Sequence, residues 1–209
     1  MTGESPDRAG PAASLAAAYR HLHRDAVRLL LDWQAPTPSQ DRLRADYLAH
    51  LSAHPDGVAK AGPPAHLTAS ALVFDSTASR VLLTHHAKAG VWLQLGGHLE
   101  LTDTSLYAAA VREVREESGI DGVRVLPVIA QLDRHRLVGS FGSCREHLDV
   151  RFAALAPAGA QAVLSDESLD LRWWPLESLP GETAAEVRDL ASACLPLLKP
   201  AARLAIDTP

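Results

Sequence analysis

The chain has 209 residues, of which 47% are hydrophobic and 22% charged, and these fractions exclude a globally disordered protein. Its formal net charge of −5 argues against a general binder of nucleic-acid polymers or anionic membranes, since both bind basic surfaces. A small phosphorylated partner still fits this charge, because a metal ion can hold such a ligand. Two widely separated cysteines, together with no secretory signal and no long apolar run, predict a cytoplasmic protein with reduced thiols.

The first sixty residues predict a tail followed by a helical hairpin. Residues 1–10 are expected to form a disordered tail. Apolar side chains recur at helical spacing over residues 12–33 and 39–54, and a proline-containing break at 35–39 separates the two predicted helices. Acidic and basic residues balance here, which does not fit a DNA-binding arm. We expect residues 11–60 to form an N-terminal helical extension that serves as a homodimer element or as a lid.

From residue 61 onward, short β-rich runs alternate with two further helical segments. This mixture predicts an α+β layered domain over residues 61–209. A Gly-Gly turn is expected at residues 96 and 97, and a polar loop at His135 and Arg136. The predicted strands cover residues 68–74, 80–85, 91–95, 123–131, 148–155 and 169–174, and the predicted helices cover 104–118 and 183–198.

One segment, GGHLELTDTSLYAAAVREVREESGI at residues 96–120, concentrates negative charge. It holds five acidic and two basic residues, so more than half of the net charge of the chain lies there. On a helix, Glu113, Glu116 and Glu117 fall on one face at positions i, i+3 and i+4, opposite an apolar face. Like charges at this spacing repel one another, and divalent cations such as Mg²⁺ or Mn²⁺ would relieve the repulsion.

The same segment resembles the Nudix box, the strand–loop–helix–loop signature of the Nudix hydrolases. The matching residues are Gly97, Arg112, Glu113, Val114, Glu116, Glu117, Gly119 and Ile120. Two departures stand out: Asp103 occupies the position of the first glutamate, and eight residues rather than seven separate it from Arg112. We interpret Asp103 chiefly as the N-cap of the helix.

The resemblance implies a fold and a metal site. The fold is a Nudix-type α/β/α sandwich with a mixed sheet, preceded here by the helical extension. Arg112 would orient Glu113 through a charge-assisted hydrogen bond, and the proton-accepting base would be either Glu113 or Glu167 in a later loop. Glu117 completes the predicted catalytic set. The metal ligands implied for Mg²⁺ or Mn²⁺ are Glu113, Glu116, Glu117 and the backbone of Gly97.

Candidate substrate contacts lie on both sides of this box. His98 follows the Gly-Gly pair and would contact phosphate or substrate, or serve as a structural hydrogen-bonding residue. His147, Asp149 and Arg151 alternate along one predicted strand, so their side chains share a face. That polar row either lines the substrate cleft or is the solvated face of the sheet.

The family resemblance favours divalent-metal-dependent hydrolysis of a diphosphate bond by water attack on phosphorus. The implied substrate is a nucleoside diphosphate linked to another group, such as an NDP-sugar or a (d)NTP-like molecule. One alternative is a catalytically silent Nudix-like ligand-binding or regulatory module, although such modules typically lose box glutamates. A second alternative is an isopentenyl-diphosphate isomerase-like enzyme. Resemblance to that family implies a nucleophilic cysteine, but this chain has Leu95, Gly96 and Gly97 at the corresponding position.

Overall fold

The computed structural model describes residues 10–87, 89–137, 142–164, 168–183 and 185–206. The helices are α1 (Pro11–Ala18), α2 (Arg20–Asp32), α3 (Pro38–Ala53), α4 (Leu106–Ser118) and α5 (Ala185–Ile206), with a short 3₁₀ turn at Leu176–Ser178. The strands are β1 (Ala65–Phe74), β2 (Arg80–His86), β3 (Trp92–Leu93), β4 (Leu95–His98), β5 (Arg124–Arg136), β6 (Glu146–Leu155) and β7 (Ser168–Pro175). Within these described ranges, no helix combines the length and apolar character needed to cross a membrane.

The N-terminal extension is helical, as expected, but its first predicted helix is divided. Tyr19 has φ −90° and ψ 8°, outside the helical region, and it separates α1 from α2. The proline-containing break and α3 lie where the sequence placed them, with Thr37 capping α3 by accepting a hydrogen bond from the backbone of Gln40. The extension packs on the sheet of its own chain, and its part in a homodimer stays a prediction.

Strand β1 is the centre of a mixed seven-stranded sheet. It runs parallel to β6 over its full length, from the pair Ala65–Glu146 to the pair Phe74–Leu155. On its other edge it pairs antiparallel with β4 and then with β2, and β2 in turn pairs with β7. The C-terminal end of β4 therefore lies on the opposite side of β1 from the first half of β6.

Two hydrophobic layers enclose this sheet. Residues of β1 alternate between them, with Ala69 and Ala71 in the first layer and Leu72 and Phe74 in the second. Helices α2, α3 and α4 contribute to the first layer, and α5 contributes to the second, for example through Val187. The predicted α+β sandwich with a mixed sheet between helices is confirmed.

The structure corrects two sequence predictions beside the site. Gly96 and Gly97 are not a turn but lie inside β4, paired with Ser70 and Ala69 of β1. His135 and Arg136 are not in a loop but extend β5, where His135 pairs with His147. The polar run at the end of β5 hid the strand because its side chains face a cleft rather than a core.

Candidate active site

The acidic helix α4 begins two residues later than predicted. Ser105 is its N-cap and accepts a hydrogen bond from the backbone of Ala108 at 3.0 Å. The prediction that Asp103 caps the helix is therefore wrong. Gly119 ends the helix in the left-handed conformation, with φ 61°, as the sequence indicated.

Asp103 instead pairs with Arg112. The guanidinium donates from Nε to Asp103 Oδ1 at 3.0 Å and from Nη2 to Oδ2 at 2.9 Å. The Asp103 carboxylate is buried and also accepts the backbone N–H of Glu100 at 2.8 Å. This bidentate pair fixes the plane of the Arg112 side chain, which a helix cap would not do.

Arg112 also holds two of the box glutamates. Its Nη1 donates to Glu113 Oε1 at 2.9 Å and to Glu116 Oε2 at 3.0 Å, and its Nη2 donates to the backbone oxygen of His98 at 3.0 Å. The predicted hydrogen bond from Arg112 to Glu113 is thus present. Arg112 joins α4 to the end of β4 and places Glu113 beside the two glycines.

The two glycines of β4 are required by close approach. A Cβ at Gly97 would lie 2.6 Å from Glu113 Oε1, and a Cβ at Gly96 would lie 2.2 Å from the Cβ of Ser70. The backbone N–H of Gly96 donates to Glu117 Oε2 at 3.0 Å. Backbone and carboxylate groups therefore meet here without an intervening side chain.

Negative charge on α4 is only partly compensated. Burial raises the pKa of Glu113, although the nearby Arg112 charge works in the opposite direction. The Glu116 side chain is 58% exposed, so solvent and solutes reach this end of the acidic face. Carboxylate oxygens that face the backbone of strand β4 form a donor set that suits a hard divalent cation.

Helix α2 of the extension supports the start of α4. Asp25 accepts the backbone N–H of Leu106 at 2.9 Å, and His21 Nε2 lies 2.8 Å from the backbone oxygen of Asp103. A carboxylate at a helix N-terminus also interacts favourably with the helix dipole. The extension therefore contacts the loop that carries Asp103, and sequence reasoning missed both residues because 81 and 82 positions separate the partners.

The predicted polar row of β6 lies on the face of the sheet that α5 covers farther along. Asp149 is buried and accepts hydrogen bonds from Thr68 Oγ1 at 3.0 Å and Ser70 Oγ at 2.7 Å. Gln94 Nε2 approaches the same carboxylate at 3.3 Å. The sequence did carry a signal for Thr68 and Ser70, since both are polar positions at a spacing of two in an apolar strand.

Arg151 completes this second network. Its side chain is 1% exposed, and its nitrogens donate to Asp149 at 2.9 Å, Asp133 at 2.8 Å and Gln131 at 3.2 Å. Burial works against ionisation of Asp149, but the charge of Arg151 and the hydrogen bond from Ser70 hold its pKa below the ordinary value. Arg151 thus uses its guanidinium within the protein, so the arrangement does not favour a role for Arg151 as a direct phosphate ligand.

Two histidines border the network. Burial alone would lower the pKa of His135, but its 2.8 Å hydrogen bond to Asp133 and the charge of Asp149 raise it. Burial and the neighbouring His135 lower the pKa of His147 to about 4. His147 is therefore a neutral imidazole near pH 7, and its unprotonated nitrogen can accept a hydrogen bond or bind a metal ion.

A cavity of about 290 Å³ joins the two networks. This volume is close to the lower limit for small-molecule sites. His147, Asp149 and Arg151 of the predicted row all line it, together with Gly97 and Glu117 from the acidic side. His98 lies outside this lining, and its ring is instead 5.0 Å from that of His147. The predicted alternative base, Glu167, falls outside the described residues.

Comparison with known proteins agrees with this geometry. The family model described as the NUDIX domain matches residues 64–194. A hydrolase of the NUDIX family from Clostridium perfringens is 25% identical, with a TM-score of 0.51 over 64% of this chain and 98% of that one. The MutT protein from Methanosarcina mazei Go1 is also 25% identical, with a TM-score of 0.51 over 62% and 92%. An Ap4A hydrolase from C. elegans, 19% identical with a TM-score of 0.50 over 66% and 97%, shares the fold.

A comparison with curated proteins gave no significant match. The family match nevertheless covers more than half of the chain, so this chain belongs to the Nudix hydrolase family, as its box indicated. It is accordingly an enzyme of the hydrolase class, and the family supports pyrophosphate hydrolysis as its general reaction.

Proposed function

We propose that this protein is a divalent-metal-dependent hydrolase of a nucleoside diphosphate linked to another moiety, such as an NDP-sugar or a (d)NTP-like molecule. Water attacks phosphorus and the diphosphate bond breaks. The observation that carries this proposal is the position of two box glutamates, Glu113 and Glu117, beside the side-chain-free backbone of Gly96 and Gly97 at the edge of the cavity, with Glu116 on the same helix and joined to Glu113 through Arg112.

The residues at this edge fit a hard divalent cation. Glu113 approaches Gly97 so closely that no Cβ would fit, so its carboxylate lies against the backbone of that residue. Glu113, Glu116, Glu117 and the backbone of Gly97 would hold Mg²⁺ or Mn²⁺. When bound, such ions neutralise phosphate charge and make a bound water more acidic.

The protein groups then have separate tasks. Arg112, fixed by Asp103, orients Glu113. Glu113, in the orientation that Arg112 gives it, accepts the proton of the attacking water. Glu167, the alternative base, is a hypothesis about a residue outside the described part of the chain. In this proposal Glu116 and Glu117 act only as ligands, whereas Glu113 is both a ligand and the base.

The cavity would receive the part of the substrate beyond the diphosphate. His147 offers a neutral ring at its wall, while Asp149 and Arg151 set its shape through hydrogen bonds within the protein. A small cavity of this kind suits one nucleoside or sugar group rather than a polymer. The two cysteines are free thiols, which fits the cytoplasmic location that we expect.

The test is a substrate screen with a matched variant. NDP-sugars, ADP-ribose, dinucleoside polyphosphates and (d)NTPs are incubated with the protein in Mg²⁺, in Mn²⁺ or in EDTA, and released nucleotide and phosphate are measured. We expect turnover of at least one class, dependent on the metal. Glu117→Gln should lower kcat/KM by roughly 10²–10⁴-fold without unfolding the chain.

The control is Glu177→Gln, which changes an exposed glutamate in the 3₁₀ turn and should leave kcat/KM unchanged. Near-normal activity of Glu117→Gln would show that the metal site is elsewhere. A folded wild-type protein that turns over none of these substrates would instead support the catalytically silent binding module.

A further inference from the structure

Four metal-ligating side chains converge at the end of the cleft, away from the glutamates of α4. His66 lies near the start of β1, His98 ends β4, Cys144 precedes β6 and His147 lies in β6. One candidate ligand atom from each lies within 4.8 Å of all the others, and among the described residues this is the group of histidine, cysteine and acidic side chains with that property. Cys144 Sγ is 3.2 Å from His66 Nε2 and 3.3 Å from His147 Nε2.

The register of the sheet brings these residues together. His66 pairs with His147 across the parallel β1–β6 ladder, and Thr68, two residues along β1, pairs with His98 across the β1–β4 ladder. Residues two apart on a strand share a face, so all three imidazoles lie on the cleft face. Their ring centroids are 5.0–5.5 Å apart, and Cys144 is added from the segment leading into β6.

Two of the donor distances are close to those of a closed tetrahedral site, and the others are at most 4.8 Å. With Zn–N and Zn–S bonds of about 2.0 and 2.3 Å, neighbouring donor atoms of a tetrahedral zinc site lie about 3.3–3.5 Å apart. The two measured distances from Cys144 Sγ are within a few tenths of an ångström of that spacing. Small side-chain rotations would therefore admit the ion.

The orientation of His66 also fits a ligand. Its Nδ1 lies 3.0 Å from the backbone oxygen of Pro63, so Nδ1 carries the proton and Nε2 presents its lone pair toward Cys144. Metal-binding histidines usually have such a partner on the second nitrogen. His66 and Cys144 are both buried, where polar groups need strong partners.

We propose that His66, His98, Cys144 and His147 bind a zinc ion as a structural site distinct from the glutamates of α4. Nitrogen and sulfur donors select zinc, whereas the oxygen donors of α4 select magnesium or manganese. The Cys144 thiol releases its proton to solvent and binds as thiolate. Four protein ligands leave no open position, so the ion ties β4 to β1 and β6 rather than taking part in hydrolysis.

This tie would matter because β4 carries Gly96 and Gly97 immediately before His98. Strand β4 pairs with β1 through four residues. A zinc ion on His98 would add a second attachment at the end of β4, where Arg112 already binds the His98 backbone oxygen.

The experiment uses the full chain after removal of any histidine tag. Zinc content is measured by inductively coupled plasma mass spectrometry, with excess Mg²⁺ present to occupy carboxylates. We expect about one zinc per chain. After chelation, added Co²⁺ should give the visible absorption of a tetrahedral ion and a thiolate charge-transfer band, and zinc should displace it.

Two variants separate this site from the rest of the molecule. Cys144→Ala should lower zinc content roughly tenfold or more and abolish the thiolate band. Cys194→Ala, which changes the other buried cysteine, on α5 in the second hydrophobic layer, should retain both signals. Glu117→Gln should also keep its zinc, so failure of the proposed hydrolase and failure of the zinc site are distinguishable.

A wild-type chain that purifies without zinc and gives no tetrahedral Co²⁺ spectrum would overturn the proposal and leave a hydrogen-bonded thiol–imidazole cluster. Equal zinc in Cys144→Ala and wild type would overturn it as well. If Cys144→Ala does not fold, the wild-type result decides: chelation must lower the melting temperature and zinc must restore it, and no shift refutes the site.

Discussion

Two arginines in this molecule each bind several carboxylates, but they do so in opposite settings. Arg112 lies on helix α4 and binds Asp103, Glu113 and Glu116. The Glu116 side chain at this site is open to solvent. Arg151 faces Asp149 and Asp133 inside the sheet, where hydroxyl groups of β1 complete the coordination of Asp149. The first network sets three carboxylates against one arginine, whereas the second sets two against one and adds two hydroxyl donors to Asp149.

This difference indicates that the Arg112 network can bind a cation, whereas the Arg151 network stabilises the fold. Uncompensated carboxylates that solvent can reach offer a cation a favourable site, and they lower stability when it is absent. A buried pair with every lone pair satisfied offers no such site, but losing one partner exposes the other to the full cost of an unpaired buried charge. Changes in the Arg112 network should therefore alter activity, and changes in the Arg151 network should alter stability.

The largest effect on stability is expected for Asp149→Ala. The variant removes one of the two carboxylates that bind the buried Arg151 and leaves the hydroxyls of Thr68 and Ser70 without their acceptor, and we expect a loss of about 3–5 kcal/mol in the free energy of unfolding. Urea denaturation measures it. Asp170→Ala is the matched control, because Asp170 and Arg172 form an ion pair at the same spacing on β7 with the arginine side chain 62% exposed. That control should lose at most about 1 kcal/mol. Equal losses would contradict the contrast between the two networks.

Gly97→Ala should mainly reduce activity. The added Cβ would lie 2.6 Å from Glu113 Oε1, so the Glu113 carboxylate must move away from the Gly97 backbone. We expect kcat/KM to fall by about 10²-fold, the effect of an ångström-scale misplacement of a catalytic group. Steady-state kinetics in saturating Mg²⁺ provide the measurement. Gly181→Ala, where an added Cβ meets nothing within 4 Å, should keep wild-type kinetics. Normal activity of Gly97→Ala would contradict the proposed position of Glu113.

Arg112→Lys should have a smaller effect. Lysine keeps the charge but cannot bind Asp103 with two nitrogens while also reaching Glu113 and Glu116. We expect kcat/KM to fall toward the lower end of the roughly 10- to 100-fold range seen when a group that orients a metal ligand is lost. Arg115→Lys changes an exposed arginine on the same helix and serves as the control. Indistinguishable kinetics for the two variants would mean that Arg112 does not position Glu113.

The sequence alone predicted the local parts of this comparison. Spacing on α4 was sufficient to place the glutamates on one face, because helix periodicity fixes which residues share a face. Period two on β6 likewise placed His147, Asp149 and Arg151 together. From the sequence, Asp103 was assigned to the wrong partner, because aspartate is equally suitable as a helix N-cap and as an ion-pair partner of arginine. Only the fold shows that Ser105 already fills the cap and that Asp103 reaches Arg112.

Nonlocal parts were beyond such reasoning. His66 and Cys144 are 78 residues apart, and nothing in their local sequences relates them. Their proximity depends on the register between β1 and β6, which a one-residue slip would destroy. The same holds for Asp25 of the extension, whose contact with the start of α4 requires the packing of three helices on one face of the sheet.

The smallest expected effect concerns the link between the extension and the buried network. The ring of Tyr47 on α3 is fully buried, and its hydroxyl lies within hydrogen-bonding distance of the backbone oxygens of Asp133 and Asp149. Tyr47→Phe keeps the ring but removes the donor, so urea denaturation should show a loss of about 1 kcal/mol. Tyr19→Phe, at a partly buried ring between α1 and α2, should lose less. If Tyr47→Phe leaves the free energy of unfolding unchanged, the Tyr47 hydroxyl adds nothing to the attachment of α3, and the Arg151 network is then energetically confined to the sheet.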